Sequence, residues 1–235
     1  MQLESDPDID WVARLSGSSR TEAEAVIEEA RGEKRLFAYL ARQHAREGRD
    51  SYVEIDAPLE LHALVRLLGP KHVVEVGVSS GVSSAYLLNA LARNGGGTLH
   101  SIDRPSHERA RSNRGRRTKF SWSLPPGRST GWAVPPRLLS KWDLRLGGMT
   151  DVLPILSKQI PSIDLLVFDV PHDCSALSRE LQRMDALFPP GAVVMIDHGP
   201  GGGMCPAVKN CARRWGSEAS MREGLGLSAT HRPPA

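Results

Sequence analysis

Residues 72–83 read His-Val-Val-Glu-Val-Gly-Val-Ser-Ser-Gly-Val-Ser, and this stretch decides the fold class. Its short apolar run predicts a buried strand over residues 72–76. Residues 83–93 then carry apolar side chains at helical spacing, and Gly77 and Gly81 allow a sharp turn between the two elements. The sequence therefore predicts a strand, a tight turn and a helix, which together open an α/β fold.

The alternation of strands and helices continues toward the C-terminus. Strands alternating with helices form right-handed crossovers and a largely parallel sheet. We therefore expect an α/β fold, with a Rossmann-like, doubly wound and mostly parallel sheet covered by helices on both faces. Further strands are predicted at 98–102, 142–146, 163–170, 192–196 and 226–230, and further helices at 150–158, 175–188 and 205–215.

Two domains are predicted, an N-terminal helical cap over residues 1–56 and a Rossmann-like domain over residues 57–235 with a basic insert at 104–140. In the cap, Ser19 and Glu22 have the spacing of a capping box, in which each residue bonds the other's backbone. After the last predicted helix, the sequence predicts one strand, at 226–230, and no antiparallel hairpin. We therefore expect either a shortened sheet or an edge completed by a second subunit in a homodimer.

The bulk composition is that of an ordinary globular protein. The chain has 235 residues, 40% of them hydrophobic, 24% charged, and a net charge of +3. No apolar run approaches the length of a membrane span, and the acidic N-terminus lacks the features of a signal peptide. Three cysteines without a CxxC pair suit a reducing compartment, so a cytoplasmic location is predicted. Cys205 and Cys211 could bind a metal with a histidine, but structural thiols are the favoured interpretation.

The turn after the first strand is the candidate ligand loop, because open parallel sheets bind ligands beyond the carboxyl ends of their strands. Its Gly-x-x-x-Gly spacing differs from the Gly-x-Gly-x-x-Gly of dinucleotide sites. Glu75 suits a ligand with a cationic end, and Asp103 after the second strand could accept hydrogen bonds from ribose hydroxyls. The alternative is a tight turn with a surface acid.

These motifs resemble the cofactor motifs of class I S-adenosylmethionine-dependent methyltransferases. The resemblance covers roughly residues 52–200 and is closest to the branch with metal-dependent O-methyltransferases. It implies that S-adenosylmethionine is the cofactor, with Gly77 and Gly81 against its methionine end and Asp103 on its ribose. One departure is Gly147-Gly148 where many relatives carry an acid that contacts adenine, so that contact is expected from Met149, Thr150 or backbone groups. The implied cofactor-binding set is Glu75, Gly77, Ser79, Gly81, Ser83, Asp103, Met149 and Asp169.

The resemblance also implies an acceptor site. In the similar enzymes, an acid that ends the fourth strand and an Asp-Asn pair that ends the fifth strand together hold Mg²⁺. Here Asp169, Asp197 and His198 occupy those positions, with His198 in place of the amide. A histidine in the set would favour a softer metal such as Mn²⁺ or Fe²⁺, or no metal. His172 falls on the position of the general base, with Asp169 as the second catalytic residue. Alternatively, His172 simply packs at the start of the next helix.

Three functions remain open from the sequence. The first is O-methylation of a small-molecule hydroxyl with His172 as base and a divalent metal. The second is a metal-independent methyltransferase that acts on an acidic macromolecule, protein or RNA, recruited by the basic stretch at 104–119. The alternative for that stretch is a solvated loop. The third is a non-catalytic module that binds the cofactor and regulates a partner.

Overall fold

A computed structural model describes residues 7–47, 58–104, 124–125, 127–170, 174–199, 202–222 and 225–234. Four helices precede the first strand: α1 (Ile9–Ser16), α2 (Arg20–Arg31), α3 (Lys34–Glu47) and α4 (Pro58–Leu68). Seven strands follow: β1 (His72–Val76), β2 (Thr98–Asp103), β3 (Trp142–Leu146), β4 (Leu165–Phe168), β5 (Val193–Asp197), β6 (Ala219–Arg222) and β7 (Leu227–His231). Between them lie α5 (Val82–Arg93), α6 (Met149–Leu156), α7 (Cys174–Arg183) and α8 (Pro206–Trp215), with 3₁₀ turns at Pro136–Lys141 and Asp185–Leu187.

The strands form one sheet in the order β3-β2-β1-β4-β5-β7-β6. The first five strands pair in parallel, and β7 runs antiparallel to both β5 and β6. The strand order reverses between β1 and β4, which are neighbours in the sheet. Open α/β sheets bind their ligands at this reversal, so the carboxyl ends of β1, β2, β4 and β5 form the candidate site edge.

Both faces of the sheet are buried, and the strand sequences show why. Along β4, Leu165 and Val167 join the core shared with α1, α2, α4 and α5, whereas Leu166 and Phe168 join the core shared with α6, α7 and α8. Successive strand side chains point to opposite faces, so a strand covered on both sides needs a continuous apolar run. The predicted Rossmann-like, mostly parallel α/β sheet is confirmed.

The N-terminal helices share the core of the sheet. Trp11 of α1 and Ile27 of α2 are almost fully buried and belong to the same apolar cluster as the strands. The predicted capping box is present, since the Ser19 hydroxyl accepts from the Glu22 backbone N–H and the Glu22 carboxylate accepts from the Ser19 N–H. The division into two domains at residue 56 stays a prediction.

The tail differs from what the sequence predicts. Strand β6 pairs with β7, so the chain completes its own antiparallel hairpin and needs no second subunit to do so. An incomplete sheet edge therefore no longer supports the predicted homodimer, which stays a prediction. Within the part of the chain that the structure describes, no helix is both long and apolar enough to cross a bilayer.

Candidate functional site

The turn between β1 and α5 has a backbone that depends on its glycines. Gly77 and Gly81 have φ angles of 99° and 93°, in the left-handed region. A Cβ on Gly77 would lie 2.0 Å from the carbonyl oxygen of Asp169, which follows β4. Ser79 also has a positive φ of 52°, which is uncommon for a residue with a side chain. The turn is therefore held in a specific shape against the end of β4.

Asp103, the last residue of β2, fixes the tip of this turn. Its Oδ2 atom accepts hydrogen bonds from the backbone N–H groups of Val78 (3.2 Å) and Ser79 (3.0 Å), and its Oδ1 atom accepts one from Arg104 (2.7 Å). The side chain is almost completely buried. The carboxylate of Asp103 thus joins the end of β2 to the tip of the turn.

Glu75 lies beneath the turn and is fully buried. One carboxylate oxygen accepts from the Ser83 hydroxyl (2.7 Å), and the other accepts from the hydroxyls of Ser84 (2.6 Å) and Ser101 (2.7 Å). Burial raises the pKa of Glu75, and the three hydroxyl donors oppose that rise. In this structure the carboxylate is not exposed to a ligand, and it ties the first turn of α5 to β1 and β2.

A segment of the predicted insert at 104–140 covers the turn from the other side. The backbone N–H groups of Gly131 and Ala133 donate to the carbonyl oxygens of Ser79 and Ser80, both at 2.9 Å. A Cβ on Gly81 would lie 2.6 Å from a methyl group of Val134. The segment follows the basic stretch in the chain, and composition alone does not reveal that it folds back onto β1. The turn is thus enclosed by main chain on both sides.

The predicted metal ligands do not form one cluster. Asp169, Asp197 and His198 are all described, but their ligand atoms are not grouped within 4.8 Å of one another. The Asp197 Oδ1 atom instead accepts from the Gly199 backbone N–H at 2.6 Å. The group that the described residues do bring together is Cys174, His198 and Cys205. The oxygen-rich site at Asp169 and Asp197 stays a prediction.

The cysteines pair differently from the sequence expectation. The Sγ atoms of Cys174 and Cys205 lie 3.7 Å apart, whereas Cys211 contacts the guanidinium of Arg214. Burial raises the pKa of Cys205 to about 11, and the neighbouring Cys174 thiol adds to the rise. The three cysteines are free thiols. No local spacing signals the Cys174–Cys205 contact, because 31 residues separate the two along the chain.

A family model described as a methyltransferase domain matches residues 74–198, just over half of the 235-residue chain. This match begins in β1 and ends at His198, so it spans the turn, Asp103 and the ends of β4 and β5. The chain belongs to this methyltransferase family. The predicted resemblance to methyltransferases is thereby confirmed, although no curated protein matches the sequence.

Solved structures with the same fold share little sequence with this methyltransferase. A protein from Klebsiella pneumoniae assigned as an O-methyltransferase is 19% identical, with a TM-score of 0.52 over 85% of this chain and 89% of its own. The O-methyltransferase TomG from Streptomyces achromogenes, in complex with SAM, is 18% identical, with a TM-score of 0.50 over 84% and 89%. A cofactor-bound protein from MTB is 18% identical, with a TM-score of 0.52 over the full length of both chains.

The residue predicted to contact adenine follows a segment that is bonded to Asp103 in the methyltransferase. The Gly147 backbone N–H donates to the Asp103 carbonyl oxygen at 2.7 Å, and Met149 begins α6 two residues later. Met149 is partly buried against the core on the α6 side of the sheet. The structure thus places the Gly147-Gly148-Met149 segment beside the carboxyl end of β2.

Other predicted functional residues lie outside the described residues. These are His172, predicted as the general base, and residues 105–119 of the basic stretch. Along the chain, His172 comes between Asp169 and the first residue of α7. Arg104 is described and exposed at the end of β2.

Proposed function

We propose that this methyltransferase transfers the methyl group of S-adenosylmethionine to a hydroxyl group of a small-molecule acceptor. The observation that carries the proposal is the contact between the turn after β1 and Asp103 at the strand reversal. Two of the structures with this fold were solved with SAM or with a bound cofactor. The predicted cytoplasmic location is part of this proposal.

The residues around the turn have separate roles in the proposed cofactor site. Gly77 and Gly81 give the turn the left-handed backbone and the close packing that shape it for the methionine end of the cofactor, and Ser79 contributes its backbone at the tip. Asp103 holds the ribose hydroxyls with its carboxylate at the end of β2. Met149 packs against the adenine. Glu75 and Ser83 act as positioning residues, because their hydrogen bond fixes the start of α5 beneath the turn.

S-adenosylmethionine supplies a methyl group on a sulfonium, which is already a good leaving group. The protein therefore contributes mainly alignment, which can be worth roughly 7–11 kcal/mol. His172 takes the proton of the acceptor hydroxyl while the oxygen bonds to the methyl carbon and the carbon–sulfur bond breaks. Asp169 lies three residues before His172 and assists in placing it. The proposal includes no metal, because the ligand atoms of Asp169, Asp197 and His198 do not all lie within 4.8 Å of one another.

The cofactor site is tested by calorimetric titration of S-adenosylhomocysteine into the wild type and Asp103→Asn. The variant should bind about 10–100-fold more weakly, since a hydrogen bond to a charged group is worth about 1.5–3 kcal/mol. Asp164→Asn is the matched control. Asp164 also accepts two backbone N–H bonds, from Lys71 (2.7 Å) and His72 (2.8 Å), but at the opposite end of β1. No binding by the wild type would overturn the proposal.

The role of His172 is tested once an acceptor has been found by screening hydroxylated small molecules. His172→Ala should lower kcat by about 10²- to 10⁴-fold while leaving the affinity for S-adenosylhomocysteine unchanged. The acid limb of the pH–rate profile should disappear in the variant. An unchanged kcat would show that His172 only packs between β4 and α7. Cofactor binding without turnover on any acceptor would favour the regulatory module instead.

One described surface favours the second candidate function, methylation of an acidic macromolecule. A concavity of about 500 Å³ between α3 and the 3₁₀ turn before β3 is lined by several cations. Salt-sensitive binding of RNA or of an acidic protein would support this candidate. Binding that does not weaken between low and physiological salt would exclude an electrostatic contact. The cationic lining residues are Lys34, Arg35, Arg42 and Arg137.

A further inference from the structure

We propose that Cys174, His198 and Cys205 bind a zinc ion at the carboxyl edge of the sheet. Within the described residues these three form the one group of histidine, cysteine or acidic side chains whose ligand atoms all lie within 4.8 Å of one another. Two sulfurs and one imidazole nitrogen are donors that bind zinc well, whereas Mg²⁺ and Ca²⁺ prefer oxygen donors. The site shares only His198 with the predicted metal set of Asp169, Asp197 and His198, and it does not depend on the proposed methyl transfer.

The distance between the two sulfurs fits a shared metal. The Sγ atoms of Cys174 and Cys205 are 3.7 Å apart. Zinc–thiolate bonds are about 2.3 Å long, so two sulfurs on one tetrahedral zinc lie roughly 3.8 Å apart. A disulfide needs the sulfurs at about 2.0 Å. The observed separation is that of a hydrogen bond between two thiols, and it also allows both sulfurs to bind one ion without movement of the backbone.

The three ligands come from elements whose positions are fixed. His198 follows β5 directly, Cys174 is the first residue of α7, and Cys205 is the N-cap of α8. The Cys205 backbone N–H donates to the Ser228 hydroxyl of β7 at 3.0 Å, and Cys205 is fully buried. Ligands held on rigid elements lose little freedom when they bind. A zinc ion here would join the starts of two helices to the end of a central strand.

The site has three protein ligands among the described residues. A tetrahedral zinc with three protein ligands keeps a fourth position for water or another oxygen or sulfur donor. Binding converts both thiols to thiolates and releases their protons to solvent, so it weakens as the pH falls. No oxidant or reductant is required. We therefore expect one zinc per chain in a site of the Cys₂His type.

The test uses the full chain, stripped of metal by a chelator and kept reduced by a phosphine. Cobalt(II) is titrated in, because its spectrum reports the ligands, and zinc is then added to displace it. The expected result is one cobalt per chain with the absorption of a four-coordinate site and a near-ultraviolet thiolate-to-cobalt band. Zinc should abolish both signals. Absence of these signals in the wild type would overturn the proposal.

Three variants separate this site from adventitious binding. Cys174→Ser and Cys205→Ser should each halve the thiolate-to-cobalt band and weaken zinc binding at least about 100-fold. Replacing a residue that only hydrogen-bonds a metal ligand already lowers metal affinity about 10–100-fold. Serine is a favoured N-cap, so Cys205→Ser should retain α8. Cys211→Ser is the matched control, because Cys211 is equally buried on α8 but outside the group. A band of undiminished intensity in either ligand variant, or a weakened band in the control, would contradict the assignment.

Failure of the zinc proposal can be distinguished from failure of the proposed function. Titration of S-adenosylhomocysteine into the metal-free and zinc-loaded protein measures cofactor binding independently of the cobalt spectrum. Cofactor binding without any cobalt signal refutes the zinc site alone. A cobalt signal without cofactor binding supports the zinc site and refutes the proposed function. A disulfide between Cys174 and Cys205 in the purified protein, with no cobalt binding after reduction, would overturn the zinc assignment.

Discussion

Gly77 and the carbonyl group of Asp169 approach each other so closely that a Cβ on Gly77 would lie 2.0 Å from the carbonyl oxygen. The backbone N–H of Asp169 also donates to the Val76 carbonyl oxygen at 2.8 Å, which extends the pairing of β1 and β4 by one bond. Contact between main chains fixes the turn relative to the end of β4. The glycine is therefore required by packing as well as by its φ of 99°.

Gly77→Ala should destabilise the protein by about 3 kcal/mol or more, because it adds a clash with backbone to the cost of a left-handed conformation. Gly95→Ala is the matched control, since Gly95 has a φ of 74° and nothing within 4 Å of its would-be Cβ. The control should cost only about 1–2 kcal/mol. Urea unfolding of both variants checks this expectation. Equal losses would show that the turn can move away from β4.

Glu75→Ala should lower the free energy of unfolding by about 1–3 kcal/mol, because three buried serine hydroxyls lose their acceptor. The start of α5 is then less firmly held, so affinity for S-adenosylhomocysteine should fall as well. Glu28→Ala, on the exposed face of α2, is the control and should change neither quantity. Chemical denaturation and calorimetry measure the two effects. Unchanged affinity in a destabilised Glu75→Ala protein would limit Glu75 to a purely structural role.

His44 should make stability depend on pH. Burial of its ring near Trp132 lowers the pKa of His44 from 6.5 to about 4. Between these values the unfolded chain binds the proton and the folded chain does not, so stability falls as the pH drops from about 6.5 to about 4. The loss should reach at most about 3 kcal/mol. His44→Phe should flatten this part of the curve in urea unfolding at several pH values. Identical slopes in both proteins would contradict the assignment.

The strands that the sequence predicts correctly are those with apolar residues facing both layers. The bounds of β1 and β3 match their predicted ranges, and β4 is shorter than predicted by a few residues at its ends. Strand β6 was missed because its four residues, Ala-Ser-Met-Arg, are all only partly buried at the edge of the sheet. An edge strand of this kind has no apolar run, and its existence depends on pairing with β7.

The candidate site was predictable only where local sequence determines it. The glycine turn and Asp103 each come directly after an apolar run that predicts a strand. Because neighbouring parallel strands end at the same edge of a sheet, their proximity could be expected. The convergence of Cys174, His198 and Cys205 could not, because the three residues belong to different elements and meet only when α7 packs on α8 and α8 packs beside β5. The same holds for the segment at 131–134, whose contact with the turn is made through backbone groups.

Strand β6 also provides a buried ion pair that can be tested. Arg222, at its end, lies 3.5 Å from the carboxylate of Glu60 on α4, and the Glu60 side chain is only 3% exposed. Burial raises the pKa of Glu60, and Arg222 opposes that rise. Arg222→Met should destabilise the protein by about 3–5 kcal/mol, because it leaves a carboxylate buried without its cation.

A second substitution distinguishes this cause from lost packing. Glu60→Gln in the Arg222→Met background should recover part of the stability, since the uncompensated charge is then removed. Arg213→Met, on the exposed side of α8, is the control and should stay within about 0.5 kcal/mol of the wild type. Urea unfolding of the wild type, Arg222→Met, Glu60→Gln and the double variant gives the coupling between Arg222 and Glu60. Strictly additive losses would mean that the hairpin is held to α4 by apolar contacts and not by the ion pair.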